Sequence, residues 1–333
     1  MNIAVDAMGG DKAPEAIVQG AVLAAGDIHG TITLVGDPAK IQPYLPTPCP
    51  SNIAIHPASQ IIQMQDKPID ALRKKRDSSL VVAAGLVREG RAQAMVSAGN
   101  TGAAAAGCLL SWRQITGFHR PAIATVLPSH NRQFLLLDAG ASPDVDPEHL
   151  VEFALMGRAY ADKIMGRTNP TVQLLNIGEE EGKGNAFAKQ AYKLLSQFDW
   201  FLGNIEGKEM YDDRSDVVVC DAFVGNVVLK VSEGVAEMIV KLIREQVPKN
   251  GLAKLPYLPL KKVMGPLRTK LDYAEYGGSP LLGLNGLCII CHGRSNPKAI
   301  RNALIQAQKG IDNQLVECMR STALPHSGEQ THA

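Results

Sequence analysis

A three-layer αβα fold built on a mostly parallel sheet is predicted by two observations. Short runs rich in Val, Ile and Leu alternate with segments of helical periodicity along nearly the whole chain. Most of those runs stop at a cluster of Gly, Asn or Asp, so loops of one composition gather at the carboxyl ends of the strands, where ligands bind in such sheets. The 333 residues, 45% of them hydrophobic, suffice for a large core. We expect one α/β domain over 1–324 with two lobes around a cleft, a protruding amphipathic segment over 248–272, and a disordered polar tail over 325–333.

Asn2 to Met8 reads as the first strand, broken by Gly9-Gly10-Asp11, and Pro14-Glu15 suits the first turn of the helix that follows. Thr31 to Val35 and Asn52 to His56 are the next strands, with a proline-rich loop between them. Arg73-Lys74-Lys75-Arg76 is the densest basic run; it is either a solvated helix end or a face for an anion or acidic partner. Asp77-Ser78-Ser79 caps a helix that buries Leu80, Val81, Ala84 and Val87. Ala92 to Ser97 is a strand ending at Gly99-Asn100-Thr101-Gly102. Four alanines follow, small enough for a ligand or a packed sheet to come close.

Phe134 to Asp138 is an apolar strand ending in Ala139-Gly140-Ala141, and Asp146-Pro147-Glu148 opens a helix to about Met165. The most informative stretch is Leu174 to Asn185. An apolar strand stops at Gly178, three glutamates and Gly182-Lys183-Gly184 follow, and Asn185 stands at a helix N-cap. A glycine loop with one lysine before a helix start collects anions. It is no Walker A loop: only three residues separate Gly178 from Gly182, and Gly184 replaces the magnesium-binding Ser/Thr. Trp200 to Leu202 is a strand ending in the loop Gly203 to Gly207. Asp216 to Cys220 is another, before a long helix expected to bury Val227, Val228, Val231, Val235, Met238, Ile239 and Leu242.

Pro248 to Lys270 holds no acid and mixes leucines with lysines. It suits a membrane-facing or acid-facing surface, or equally a buried hairpin or dimer interface. Leu281–Leu284 and Leu287–Cys291 form a strand pair or one bent strand, and Asn296-Pro297 caps the last helix.

The formal charge of +1 offers no field for nucleic acid. The N-terminus lacks a basic region and no apolar run could span a bilayer, so a cytoplasmic protein is expected. Cys288-Ile289-Ile290-Cys291-His292 has haem-attachment spacing, but in a strand the two thiols point to opposite faces. No G-x-G-x-x-G or G-x-S-x-G occurs. Asp6, Asp11, Asp138 and Asp221 are read as loop-bonding carboxylates, with no metal and no cofactor expected.

DAMGGD (6–11), SAGNTGA (97–103), LLDAGA (136–141), NIGEEEGKGN (176–185), GNIEG (203–207), DAFVGNVVLK (221–230) and YGGSPLLGLNG with CHG (276–293) together resemble the motif series of the bacterial acyl-carrier-protein:phosphate acyltransferases. Ala222 and Ser142-Pro143 depart from the usual pattern, and neither touches an expected site residue. The resemblance implies a fold similar to isocitrate dehydrogenase and phosphotransacetylase. It also implies long-chain acyl transfer from acyl carrier protein to inorganic phosphate, giving acyl phosphate for a downstream glycerol-3-phosphate acyltransferase, in a homodimer attached peripherally to the inner membrane face.

Phosphate is its own nucleophile, so the site must hold it and stabilise the thioester oxyanion. We expect Lys183, Gly184 and Asn185 to bind phosphate, helped by Asn100, Thr101 and Gly102. Asn226 and Lys230 would polarise the carbonyl or bind phosphate. His292 would stabilise or protonate the departing thiolate, unless it is a structural histidine bonding a loop carbonyl. The acidic carrier would dock on Arg73, Lys74, Lys75, Arg76, Lys261 and Lys262, and Leu255, Leu258 and Leu260 would touch the membrane. The rival readings are a short-chain phosphotransacetylase using acyl-CoA, a related-fold decarboxylating dehydrogenase using NAD, and a non-catalytic membrane-attached scaffold that binds the carrier.

Overall fold

A computed structural model describes residues 1–246 and 277–323. The strands form two sheets, both mostly parallel. The first has the order β3-β2-β1-β4-β12-β11-β5, where β1 is Asn2–Asp6, β2 Thr31–Gly36, β3 Ile53–Pro57, β4 Ala94–Ser97, β5 Ala122–Ile123, β11 Ser279–Leu282 and β12 Leu287–Ile290. The second has the order β6-β7-β10-β8-β9, where β6 is Thr125–Pro128, β7 Gln133–Leu137, β8 Val172–Asn176, β9 Phe201–Glu206 and β10 Val217–Val219. Only β11, against β12 and β5, and β6, against β7, pair antiparallel among these strands.

Strand periodicity explains the layering. Ile3 and Val5 of β1, Ala94 and Val96 of β4, and Leu287 and Ile289 of β12 point into one core; there α1 (Glu15–Ala24) packs on α9 (Pro297–Asp312). Ala4, Met95, Cys288 and Ile290 point the other way, against α4 (Ser79–Arg88) and α5 (Thr101–Trp112). Cys288 and Cys291 accordingly lie in different core layers, both buried, and burial holds the Cys291 thiol well above its ordinary range. The first core continues into the second sheet through Leu135, Leu137, Val217 and Val219, covered by α6 (Pro147–Lys163) and flanked by α7 (Ala186–Leu195). One body of apolar contacts therefore runs beneath both sheets.

The sheets meet at the short strands β5 and β6, which the sequence reading missed. Thr125 Oγ1 lies 2.9 Å from Ser279 Oγ, and the Ala124 N–H donates to Pro280 O. Strands of two and four residues carry too little periodicity to register. Two further expectations are corrected. Gly203 to Glu206 is strand rather than loop; Gly203 takes φ +97° and the register against β8 slips, so a bulge accommodates the glycine. Helix α8 (Ala222–Gln246) does not bury its apolar stripe: Val227, Val231, Val235, Met238, Ile239 and Leu242 are exposed, and only Val228 and Leu229 pack against the second sheet. The residues after α8 up to Tyr276, and the polar tail, lie outside the described residues, so the readings for 248–272 and 325–333 gain no structural account. α3 (Pro68–Lys74) and α10 (Leu315–Thr322) complete the helices used below.

Candidate active site

Strands β1, β4 and β12 are parallel neighbours, so the loops leaving them emerge side by side. Asp6, fully buried at the end of β1, holds them together. Its carboxylate accepts from Ser79 Oγ at 2.5 Å and Ser97 Oγ at 2.8 Å, and Ser97 Oγ in turn accepts the Gly99 N–H. Burial raises the Asp6 pKa, with the two serines working against it. The Asp11 N–H donates to Gly293 O at 2.8 Å, locking the first loop to the last.

Asn100 is the N-cap of α5: its Oδ1 accepts the Ala103 N–H at 2.9 Å and its Nδ2 donates to Met64 O and Asp66 O. That side chain is committed to the protein. The following residues, Thr101 and Gly102, are exposed, and their N–H groups stand in the unpartnered first turn of the helix. Met64 connects this helix start to the β12 loop, because a Cβ on Gly293 would stand 2.8 Å from Met64 Cε.

His292 follows β12. Its Nδ1 accepts the Arg294 N–H at 3.1 Å, so the neutral ring carries its proton on Nε2. Its pKa is lowered, first by burial, then by the positive charge of Lys230; Glu233 and Asp11 act in the opposite sense. The charge of Lys230 on α8 is thus felt at His292, and with burial it favours the neutral ring. Lys230 Nζ bonds Glu233 Oε2 at 2.9 Å. Asn226 stands one helical turn before Lys230 on the same face, against Gly140.

The start of α8 is fixed by Asp138. Its buried carboxylate accepts N–H groups from Ile123, Gly140, Ala141 and Ser142 at 2.8 to 2.9 Å. Gly225 presses on the Asp138 carbonyl so closely that a Cβ there would lie 1.9 Å from the oxygen. Desolvation raises the Asp138 pKa against these four donors. Ser142, one of the departures from the family pattern, takes part by bonding Asp138 and Pro121 O.

The Lys183 loop follows β8. Asn185 caps α7 by accepting the Ala188 N–H at 2.9 Å, as its position predicts. Lys183 is half-exposed with Nζ 3.8 Å from Glu180 Oε2, and Glu179 pairs with Arg214, which also reaches Glu209 at 3.0 Å. Glu179 thus turns toward Arg214, and Glu180 is the glutamate that pairs with the lysine. Gly184 takes φ +88°.

The predicted residues thus fall into two groups. Asn100, Thr101, Gly102 and His292 lie on the loops of the adjacent strands β4 and β12, the charge of Lys230 on α8 is felt at His292, and Asn226 stands one turn before Lys230. Lys183, Gly184 and Asn185 lie on the loop of a neighbouring strand, with their described contacts inside that loop. Arg73, Lys74 and Arg76 are exposed at the end of α3, whose Pro68 abuts Gly102; Lys75 is instead tied to Asp66 and Ile61 O. Lys261, Lys262, Leu255, Leu258 and Leu260 lie outside the described residues. Sequence reasoning missed Asn176, Asn204 and Arg214. Only the glycine beside Asn204 hinted at an irregular strand.

A model of the fatty acid synthesis protein family matches residues 1–318. The chain is 49% identical over 324 residues to the phosphate acyltransferase of Heliobacterium modesticaldum, covering 96% of this chain and 97% of that one. It is 45% identical over 328 residues to the phosphate acyltransferase of Geobacter sulfurreducens, covering 96% and 95%. Among solved structures it is similar in fold to a phosphotransacetylase from Streptococcus pyogenes, with a TM-score of 0.61 at 16% identity over 94% of each chain. A phosphotransacetylase from Staphylococcus aureus gives 0.59 at 15% identity, covering 92% and 93%. Near-full-length identity close to one half, together with the family match, leads to one conclusion: the chain belongs to the phosphate acyltransferase family of fatty acid synthesis proteins and is an acyltransferase.

Proposed function

We propose that this acyltransferase moves a long-chain acyl group from the thioester of acyl carrier protein to inorganic phosphate, releasing carrier thiol and acyl phosphate for acylation of glycerol 3-phosphate. The observation that carries the reading is the junction of the β4 and β12 loops at the exposed start of α5, where Gly293 abuts Met64, the residue whose carbonyl Asn100 holds, and where the positive charge of Lys230 is felt at His292. Phosphate attacks the thioester carbonyl, the tetrahedral oxyanion collapses, and the thiolate leaves. No strong base is required, because a substantial fraction of phosphate is already dianionic near neutral pH. The chain has to concentrate the anion, orient it and stabilise developing charge. Thr101 and Gly102 N–H groups, Lys230 and Lys183 suit the anion. Asn226 suits the carbonyl oxygen, and the Nε2–H of neutral His292 suits the departing sulfur.

The acidic carrier would dock on exposed Arg73, Lys74 and Arg76, one short helix away from the α5 start, with Lys261 and Lys262 assisting. A homodimer accounts for the bare stripe of α8: Val224, Val231, Val235, Met238 and Leu242 recur at spacings of seven, four, three and four, those of a seam between paired helices. No helix among the described residues is long and apolar enough to cross a membrane. Attachment at the cytoplasmic face, close to a glycerol-3-phosphate acyltransferase, would rest on Leu255, Leu258 and Leu260.

The phosphotransacetylase neighbours favour a second reading, short-chain transfer from acyl-CoA. Initial rates with palmitoyl carrier protein, palmitoyl-CoA and acetyl-CoA at fixed phosphate separate the two. The proposal expects palmitoyl carrier protein to be preferred; preference for acetyl-CoA would replace it with the second reading.

A further inference from the structure

We propose that Asn204 is a positioning residue for Lys183, acting through Asn176 to hold the Glu180–Lys183 turn; this rests on the reading of Lys183 as a phosphate ligand. Asn204 sits on β9, 3% exposed. Asparagine is a poor strand residue and is rarely buried unless its amide is used. Here both ends are used. Its Oδ1 accepts from Asn176 Nδ2 at 3.1 Å and its Nδ2 donates to Glu180 O at 2.9 Å, while Asn176 Nδ2 also donates to Lys183 O at 3.2 Å. The partners fix both amide orientations, since a backbone carbonyl can only accept.

The two carbonyls held this way open and close one turn, in which the Lys183 N–H donates to Glu180 O at 3.0 Å. Asn204 and Asn176 therefore grip both ends of the segment that carries the lysine. The surroundings make room for the grip. The β-bulge beside Gly203 redirects the strand just before Asn204. Gly184 has a positive φ, and a Cβ there would stand 2.6 Å from Asn176 Oδ1. The Lys183 stem crosses Gly178, where a Cβ would lie 2.9 Å from its Cγ. Lys183 is thus held from its backbone and along its stem, with its ammonium half-exposed 3.8 Å from Glu180 Oε2, where an incoming anion would compete with that carboxylate.

The test is a cycle of Asn204→Asp, Lys183→Ala and the double variant, read by KM for phosphate, KM for acyl thioester, kcat and Tm. Aspartate keeps the acceptor for Asn176 but cannot donate to Glu180 O. The expected single-variant result is a rise in phosphate KM of about tenfold, with kcat and thioester KM within about twofold. In the Lys183→Ala background the same substitution should change phosphate KM by less than about twofold. Lowered Tm with unchanged phosphate KM would make Asn204 merely structural and overturn the proposal. An undiminished effect in the Lys183→Ala background would also overturn it, since Asn204 would then act elsewhere. If Asn204→Asp fails to fold, Asn176→Asp removes the donor to Lys183 O and is read the same way. Lys183→Ala with unchanged phosphate KM would refute the ligand reading itself, and with it this inference.

Discussion

His292 is neutral because it is part-buried and shares the cleft with Lys230, and both causes lower its pKa from 6.5. The unfolded chain therefore takes up this proton first as pH falls. His292 contributes a loss of stability between pH 6.5 and its lower folded value, and nothing above that window. Replacing Lys230 by Met removes one of the three depressing influences, which are burial, Lys230 and Arg294, so the His292 midpoint followed by NMR should move up. An unmoved midpoint would separate the two residues and remove the paired role given to them. Gly225 is a second residue-scale test. Alanine there would drive a methyl into the Asp138 carbonyl, forcing the start of α8 away from the end of β7. A loss of about 1–3 kcal/mol, read by denaturant unfolding, is expected from overpacking against backbone. Stability within about 0.5 kcal/mol of the parent would show that the contact is easily relieved.

At the scale of the element, α8 shows what a single sequence can and cannot say. Its helical periodicity was legible, and so was its apolar stripe from Val227 to Leu242. Periodicity reports that a face needs cover; it does not report whether the chain itself or another copy provides it. The stripe was expected inside and lies outside. Val231→Glu with Val235→Glu should convert a dimer to monomers by light scattering while leaving the secondary structure intact. A species already monomeric before substitution, or a dimer that survives it, would contradict pairing through α8. The N-caps at Ser78, Asp146, Asn185 and Asn296 were legible because each is a short polar side chain directly before a helical apolar pattern. The strand character of Gly203 to Glu206 was not, because Gly and Asn ordinarily signal a turn. A bulge uses the same residues for another purpose.

At the scale of the molecule, alternation of strand and helix was enough for the fold class, because both sheets are mostly parallel and their strands are joined through helices. Strand order and the division into two sheets are long-range pairings that no local pattern encodes. The gathering of Asn100, His292, Lys230 and Asn226 follows from that topology. It could be anticipated only through the motif series; that series includes Asn204 in GNIEG, but the bonds from Asn204 to the Lys183 turn could not be anticipated from either source. The central claim is that this gathering serves phosphate-dependent release of an acyl thioester, and ³¹P NMR on palmitoyl carrier protein tests it most directly. The account predicts one acyl phosphate formed for each carrier thiol released, with release falling to the uncatalysed rate when phosphate is omitted. Thiol release at the same rate without phosphate, or with no acyl phosphate resonance, would contradict it.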